Sequence, residues 1–145
     1  TADDFALSHP GGSLGKRLLL RVGDLMHSGD LLPQVGIDAT ISQALLEVSR
    51  KGLGMTAVVN EEGLLAGLFT DGDLRRILDL QVDIHHTPIS RVMTANCVTV
   101  GPEMMAAEAV KLMETSKLNG LLVVDEERRP LGAFNMHDLL KAGVI

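Results

Sequence analysis

The apolar positions of this chain change period in a fixed order, and they do so twice. In the first pass, Leu31, Leu32 and Val35 form a short extended run, and Ile41, Ala44, Leu45 and Val48 then recur at the three- and four-residue spacing of a helix face. Residues 55–59 and 64–69 follow as continuous apolar runs separated by Asn60-Glu61-Glu62-Gly63, which predicts two strands joined by a turn. Leu74, Ile77 and Leu78 return to helical spacing. The second pass repeats the order: a strand at 97–100, a helix face of Ala106, Ala109, Val110 and Met113, and strands at 121–124 and 131–134 around a turn at 125–129. Thr40 is placed to cap the first helix, and Gly52 with Gly54 to stop it.

The two passes are copies of one unit. Residues 37–76 align without a gap on residues 102–141, and ten of the forty positions are identical, among them Gly67/Gly132, Phe69/Phe134 and Asp73/Asp138. Val22-Gly23-Asp24-Leu25-Met26 and Ile89-Ser90-Arg91-Val92-Met93 precede them as a matching pair. The expected organisation is a tail at 1–21, a module at 22–79, a linker at 80–88 and a second module at 89–145. A single strand-helix-strand-strand-helix unit leaves one sheet face wet, so the expected fold class is α/β (α+β), with two β-α-β-β-α modules packed by pseudo-twofold symmetry.

Composition narrows the chemistry. A hydrophobic fraction of 46% in 145 residues supplies a core, and three Phe with no Trp or Tyr make that core aliphatic. The stacking platforms of single-strand nucleic-acid binders are missing, and a net charge of -6 opposes a nucleic-acid partner. Cys97 is the single cysteine, so no internal disulfide forms, and it reads as a small buried hydrophobe. No apolar run has the length of a membrane span and no signal segment opens the chain, so the expectation is a cytoplasmic protein with no membrane partner. The start at Thr1, without an initiator methionine, points to a piece of a longer protein.

Candidate chemistry gathers at two strand-to-helix corners, Gly67-Leu68-Phe69-Thr70-Asp71-Gly72-Asp73 and Gly132-Ala133-Phe134-Asn135-Met136-His137-Asp138. Two readings stand side by side. In the first, Thr70 with Asp73, and Asn135 with Asp138, form capping boxes and nothing more. In the second, the helix N-terminus and its carboxylate hold a ligand, Asp73 accepting both hydroxyls of a diol while Gly67 lets the ligand approach the backbone. Asp71 and Asp73 place two negative charges in one turn, which disfavours an anion there. His137 sits in the second corner, whereas His27 carries no clear signal. Lys16, Arg17, Arg91, Lys117 and Lys141 are the cations considered for balancing a ligand's charge. His85-His86 with Asp83 lies in the linker and reads as a solvated connector, so no metal site is expected.

The doubled unit with Gly67 to Asp73 at its corner resembles a tandem CBS (cystathionine-β-synthase type) domain pair. That resemblance implies an adenine nucleotide in the cleft between modules, with Thr70 and Asp73 at its phosphate and ribose, and one principal site, because Asn135 replaces the hydroxyl residue while Asp138 stays. Ser8-His9-Pro10-Gly11-Gly12-Ser13-Leu14-Gly15-Lys16-Arg17, Asp24-Leu25-Met26 and the ending from Met136 to Val144 are similar to the C-terminal part of bacterial D-arabinose-5-phosphate isomerases. This implies a missing N-terminal sugar-isomerase domain that interconverts D-ribulose 5-phosphate and D-arabinose 5-phosphate for Kdo and lipopolysaccharide synthesis. It also implies that His9 belongs to the active site of the whole enzyme, while the present chain is not an enzyme by itself.

Two functions follow as expectations. The first is a regulatory pair that binds AMP, ATP or, as feedback from the pathway, CMP-Kdo, and biases the isomerase allosterically with no required cofactor. The second is a ligand-free module that holds isomerase subunits together, as a homodimer of pairs and a tetramer of the whole enzyme.

Overall fold

A computed structural model describes Gly15 and residues 19–145. His9, Lys16 and Arg17 lie outside the described residues, as does most of the tail at 1–21. The described elements are α1 (Val22–Leu25), β1 (His27–Ser28), β2 (Gln34–Gly36), α2 (Ile41–Lys51), β3 (Met55–Val59), β4 (Leu65–Thr70) and α3 (Asp71–Leu78). After a connector come β5 (Thr99–Val100), α4 (Ala106–Ser116), β6 (Gly120–Val124), β7 (Pro130–Asn135) and α5 (Met136–Lys141). Each copy is thus the β-α-β-β-α unit the periodicity predicts.

Helix α2 begins and ends where its signals stand. The Thr40 hydroxyl accepts from the Gln43 amide at 3.2 Å, the Gln43 side chain accepts from the Thr40 amide at 2.9 Å, and Gly52 ends the helix in the left-handed region at φ 72°. The connector closes the N-terminal end of α2, because the Ile41 and Ser42 amides donate to the carbonyls of Thr87 and Ile84.

Three expectations need correction. The first strand does not run through 31–35: Gly29–Leu31 form a 3-10 turn and pairing starts at Gln34, since Pro33 has no amide to give and uses its carbonyl to accept from Ala57. The strand at 97–100 shortens to Thr99–Val100, with Cys97 turned onto an apolar cluster. Leu78 is 65% exposed, because Asp73 and Ile77 define the inward face of α3 and Leu78 lies a further 100° round the helix.

The strands form two sheets. In one, β2 runs parallel to β3, which pairs antiparallel with β4. In the other, the order is β1-β7-β6-β5, with β5 parallel to β6. Both β3–β4 and β6–β7 carry a register shift at the same place, between Val58 and Val59 and between Val123 and Val124. The repeat therefore extends to its irregularities.

Strand β1 belongs, by chain order, to the first copy, yet it pairs with β7 of the second through His27↔Ala133 and Ser28↔Gly132. Val22, fully buried, packs in the second copy's core with Met113, Leu121, Phe134 and Leu139. The exchange is mutual. Ile89, also fully buried, packs in the first copy's core with Ile41, Val58, Phe69 and Ile77, and Leu68 and Thr94 exchange backbone hydrogen bonds at 3.0 and 2.8 Å. Each lead-in segment thus clasps the copy it does not precede.

A third apolar cluster joins the copies. Leu32, Leu53, Met55, Ala57, Leu65 and Leu68 from the first meet Leu122, Val124 and Ala133 from the second. Ala57 with Leu122, and Leu68 with Ala133, are equivalent positions of the repeat, so both modules present the same sheet face to each other. Like faces meeting in this way generate a pseudo-twofold.

One tie exists in the first copy alone. Glu47, 8% exposed, accepts from the Gln34 amide at 3.0 Å and from Lys51 at 3.1 Å, fastening β2 to α2; Leu112 stands at the matching position of α4. Burial alone would raise the pKa of the Glu47 carboxyl, but the Gln34 amide, Lys51 and Arg50 outweigh it and hold the pKa below the ordinary 4.5. No described helix is long and apolar enough to cross a membrane.

A carboxyl with a lowered folded pKa contributes stability above its unfolded pKa and loses it as pH falls through the folded value. Glu47→Gln is therefore expected to lower stability at pH 7 by roughly 1–2 kcal/mol. It should also flatten the loss of stability on acidification below pH 4.5. Denaturant titrations across that range would show parallel curves for both proteins if the Glu47 tie were idle.

Candidate functional site: a cleft between the two corners

The two copies leave a cleft of about 550 Å³ where their corners face each other. Its walls come from equivalent positions of the repeat: Thr70 and Asn135, Asp71 and Met136, Gly72 and His137, Leu53 and Leu118, Gly54 and Asn119, Met55 and Gly120. Leu68, Arg75 and Lys117 complete it without their counterparts.

Each corner is fixed by its own side chains. Thr70 is extended at φ -126°, its hydroxyl accepts from the Asp73 amide at 3.2 Å, and the Asp73 carboxylate accepts from the Thr70 amide at 2.9 Å. Asn135 and Asp138 make the same pair of bonds at 3.0 and 2.9 Å. The first helical amide is also used, Asp71 donating to the Gly54 carbonyl at 3.2 Å and Met136 to that of Asn119 at 2.9 Å. In each first turn the second amide, that of Gly72 or His137, belongs to a cleft-lining residue and has no partner among the described residues.

The capping carboxylates reach away from the cleft toward the lead-in segments. Asp73 is 4% exposed; its other oxygen accepts from the Thr94 hydroxyl at 3.1 Å and pairs with Arg76. Asp138 has its other oxygen 2.8 Å from His27 Nε2, at the equivalent place. The glycines serve the same contact. A Cβ at Gly67 would lie 2.6 Å from Met93 Sδ and 2.9 Å from the Thr94 carbonyl oxygen; at Gly132 it would lie 2.5 Å from Met26 Sδ and 2.9 Å from that of His27. The absent Cβ admits a neighbouring strand.

Of the residues singled out from sequence, Thr70, Asn135, His137 and Lys117 line the cleft, whereas Gly67, Asp73 and Asp138 are not among its lining residues. Arg91 and Lys141 do not reach it either. Arg75 was missed as a lining residue, as were the segments Leu53-Gly54-Met55 and Leu118-Asn119-Gly120. Arg75 could have been found from its spacing, since it lies one helical turn beyond Asp71 on the corner helix. His27 gains a partner that no local pattern signals.

The lining is mixed in charge. Asp71 lies against Gly54, where a Cβ would be 3.3 Å from its carboxylate oxygen, and Arg75 and Lys117 are the cations. Lys117 is held at the end of α4 in the left-handed region, φ 56°. Among the described residues no group of three His, Cys, Asp or Glu is arranged for a metal, and His86 instead hydrogen-bonds Asp83 at 2.8 Å. That bond holds the Asp83 carboxyl below its usual range. Burial pushes the Cys97 thiol upward, against an opposing pull from Arg128.

The CBS domain family model matches residues 22–80 and 89–145. Over all 145 residues the chain is 58% identical to arabinose 5-phosphate isomerase KdsD of Pseudomonas aeruginosa and 50% identical to that of Escherichia coli K12. It spans 44% of the length of each of these relatives. Among solved structures it is similar to the CBS domain pair of protein MJ0100 in complex with 5-methylthioadenosine and S-adenosyl-L-methionine, with a TM-score of 0.75, 21% identity, and 85% of this chain and 94% of that one covered. It is also similar to CBSX2 in complex with AMP, with a TM-score of 0.72, 22% identity, and 86% and 96% covered. At such identities the likeness is one of fold.

Because Asp73 joins a cap, a lead-in segment and a cation, Asp73→Ala is expected to destabilise the ligand-free chain by about 1–3 kcal/mol. Urea unfolding should show a lower midpoint at unchanged slope. A midpoint equal to that of the parent would show that the corner does not depend on its box.

Proposed function

The chain belongs to the CBS domain family, and we propose that it is the nucleotide-responsive regulatory pair of a cytoplasmic D-arabinose-5-phosphate isomerase. The observation that carries the reading is the cleft lined by both corners. Its volume of about 550 Å³ falls in the range of small-molecule sites. Leu53, Met55, Leu68, Leu118 and Met136 offer an apolar wall for a base, Arg75 and Lys117 face an anion, and Thr70, Asn135 and His137 offer hydrogen bonds. Gly67, Asp73 and Asp138 act in the same site by setting the corners.

The proposed ligand is an adenine nucleotide or a sugar nucleotide such as CMP-Kdo, the latter fitting feedback on an enzyme that feeds Kdo and lipopolysaccharide synthesis. A ligand bound between the copies favours one arrangement of the pair, and the lead-in segment at 22–28 carries that preference toward the isomerase domain that precedes it. The parent interconverts D-ribulose 5-phosphate and D-arabinose 5-phosphate in this reading, and His9 contributes a proton-transfer group to its active site.

A second reading has its own observation. Leu46, Leu78, Leu80 and Leu140 are exposed by 58% or more, which suits a module that pairs with a second copy and holds isomerase subunits as dimers of pairs or a tetramer. Both functions can reside in one pair.

A thermal-unfolding panel with AMP, ATP, CMP and CMP-Kdo separates them. At a hundredfold excess over its dissociation constant a true ligand adds about 2.7 kcal/mol of stability. If none of the four raises the melting temperature, the regulatory reading fails and the assembly reading remains. In the whole enzyme, His9→Ala should reduce kcat by roughly 100-fold or more while leaving the unfolding of this pair unchanged. Undiminished turnover would remove His9 from the active site.

A further inference from the structure

We infer that Asn119-Gly120, in the wall of the cleft, is a site of self-modification: the Gly120 amide closes on the Asn119 side chain, ammonia leaves, and water opens the resulting ring to a carboxylate. The inference needs no bound ligand and stands whether or not the cleft takes a nucleotide.

The sequence singles the position out. Of the four asparagines, Asn60, Asn96, Asn119 and Asn135, only Asn119 is followed by glycine, the residue whose missing Cβ hinders such a ring closure least. Its counterpart in the first copy is Gly54-Met55, which has neither the side-chain amide nor the glycine after it.

The fold leaves the nucleophile free. Gly120 opens β6 opposite Asn135, and the Met136 amide donates to the Asn119 carbonyl at 2.9 Å. That bond makes 119 with 136 a hydrogen-bonded pair of the antiparallel ladder, so 120 with 135, the next along, exchanges no bonds. The Asn135 amide turns instead to the Asp138 carboxylate. The Gly120 amide points away from β7 toward the side where β5 begins its pairing only at Leu122, and it has no acceptor among the described residues. The electrophile is free as well. Asn119 is exposed, and the bonds at its corner, made by Asn135, Asp138 and the Met136 amide, leave its side chain without a partner among the described residues. The chain bends at Asn119 before β6 begins, so the residue is not locked in an extended strand.

The Gly120 nitrogen bonds to Asn119 Cγ and gives its proton to solvent, while the bond from Cγ to the side-chain nitrogen breaks and ammonia departs with a proton. One water then opens the five-membered imide. Cleavage at Cγ leaves an aspartate; cleavage at the main-chain carbonyl carbon leaves an isoaspartate, with the chain routed through Cβ. Nothing is oxidised or reduced. Either product puts a carboxylate two residues from Lys117 in a lining whose one carboxylate is Asp71, and so offsets a cation of the cleft. Isoaspartate also lengthens the main chain beside the carbonyl that holds the first amide of α5.

Incubation of the chain in mildly alkaline buffer, followed by peptide mapping by mass spectrometry, tests this. Conversion is expected at Asn119 ahead of the other three asparagines, in the folded chain at a rate comparable to that in urea. An acidic species should accumulate on ion exchange from the parent and not from Asn119→Gln, whose longer side chain would have to close a larger ring. In hydrogen exchange the isoaspartate fraction should lose protection at the Met136 amide that the aspartate fraction keeps. An amide retained at 119 in the folded chain while the unfolded chain loses it, earlier conversion at another asparagine, or an acidic species undiminished in Asn119→Gln would each overturn the inference. Equal protection of Met136 in the two fractions would overturn its link to α5.

Discussion

At Gly67 and Gly132 a strand from elsewhere in the chain runs so close to the hairpin that a single methyl group would strike a backbone carbonyl oxygen. The rest of the molecule is arranged about these two approaches. They let β1 join β7 and let Thr94 pair with Leu68, which brings Val22 and Ile89 into cores assembled mainly by the opposite copy. Because each copy closes over the other's lead-in segment, their like sheet faces are held together and the cleft keeps its two corners opposed.

The same contacts connect the cleft to the lead-in segments. One oxygen of Asp73 holds the corner that carries Thr70 and the other holds Thr94; Asp138 does this for Asn135 and His27. Each carboxylate thus has one bond on the corner facing the cleft and one on the segment behind it. Those segments lie near the start of the two family matches, which begin at 22 and 89.

Much of the fold is legible in the chain because helical spacing and short continuous apolar runs alternate in the same order twice, and the repeat corroborates each element with a second copy. Thr40, Gly52 and both capping boxes are local in sequence, so their geometry follows from spacing alone. The cleft was legible in part. Thr70, Asn135 and His137 could be found because they stand at the corners, whereas Leu53 to Met55 and Leu118 to Gly120 enter it from loops whose residues carry no chemical signature. The exchange of lead-in segments could not be read, because Met26 and Met93 match as sequence whether each packs on its own copy or on the other. The purpose of Gly67 was visible as a need for close approach, and the approaching group proved to be Met93 and Thr94.

The crossed pairing also has a consequence in time. A ribosome delivers the residues of β1 about a hundred residues before their partner β7, and at about 5–20 residues per second that interval lasts many seconds. Until then Val22 has no complete core to enter, whereas the first copy receives Ile89 about forty residues earlier. The nascent chain therefore carries β1 without its partner throughout that interval, and the pair closes only when β7 arrives.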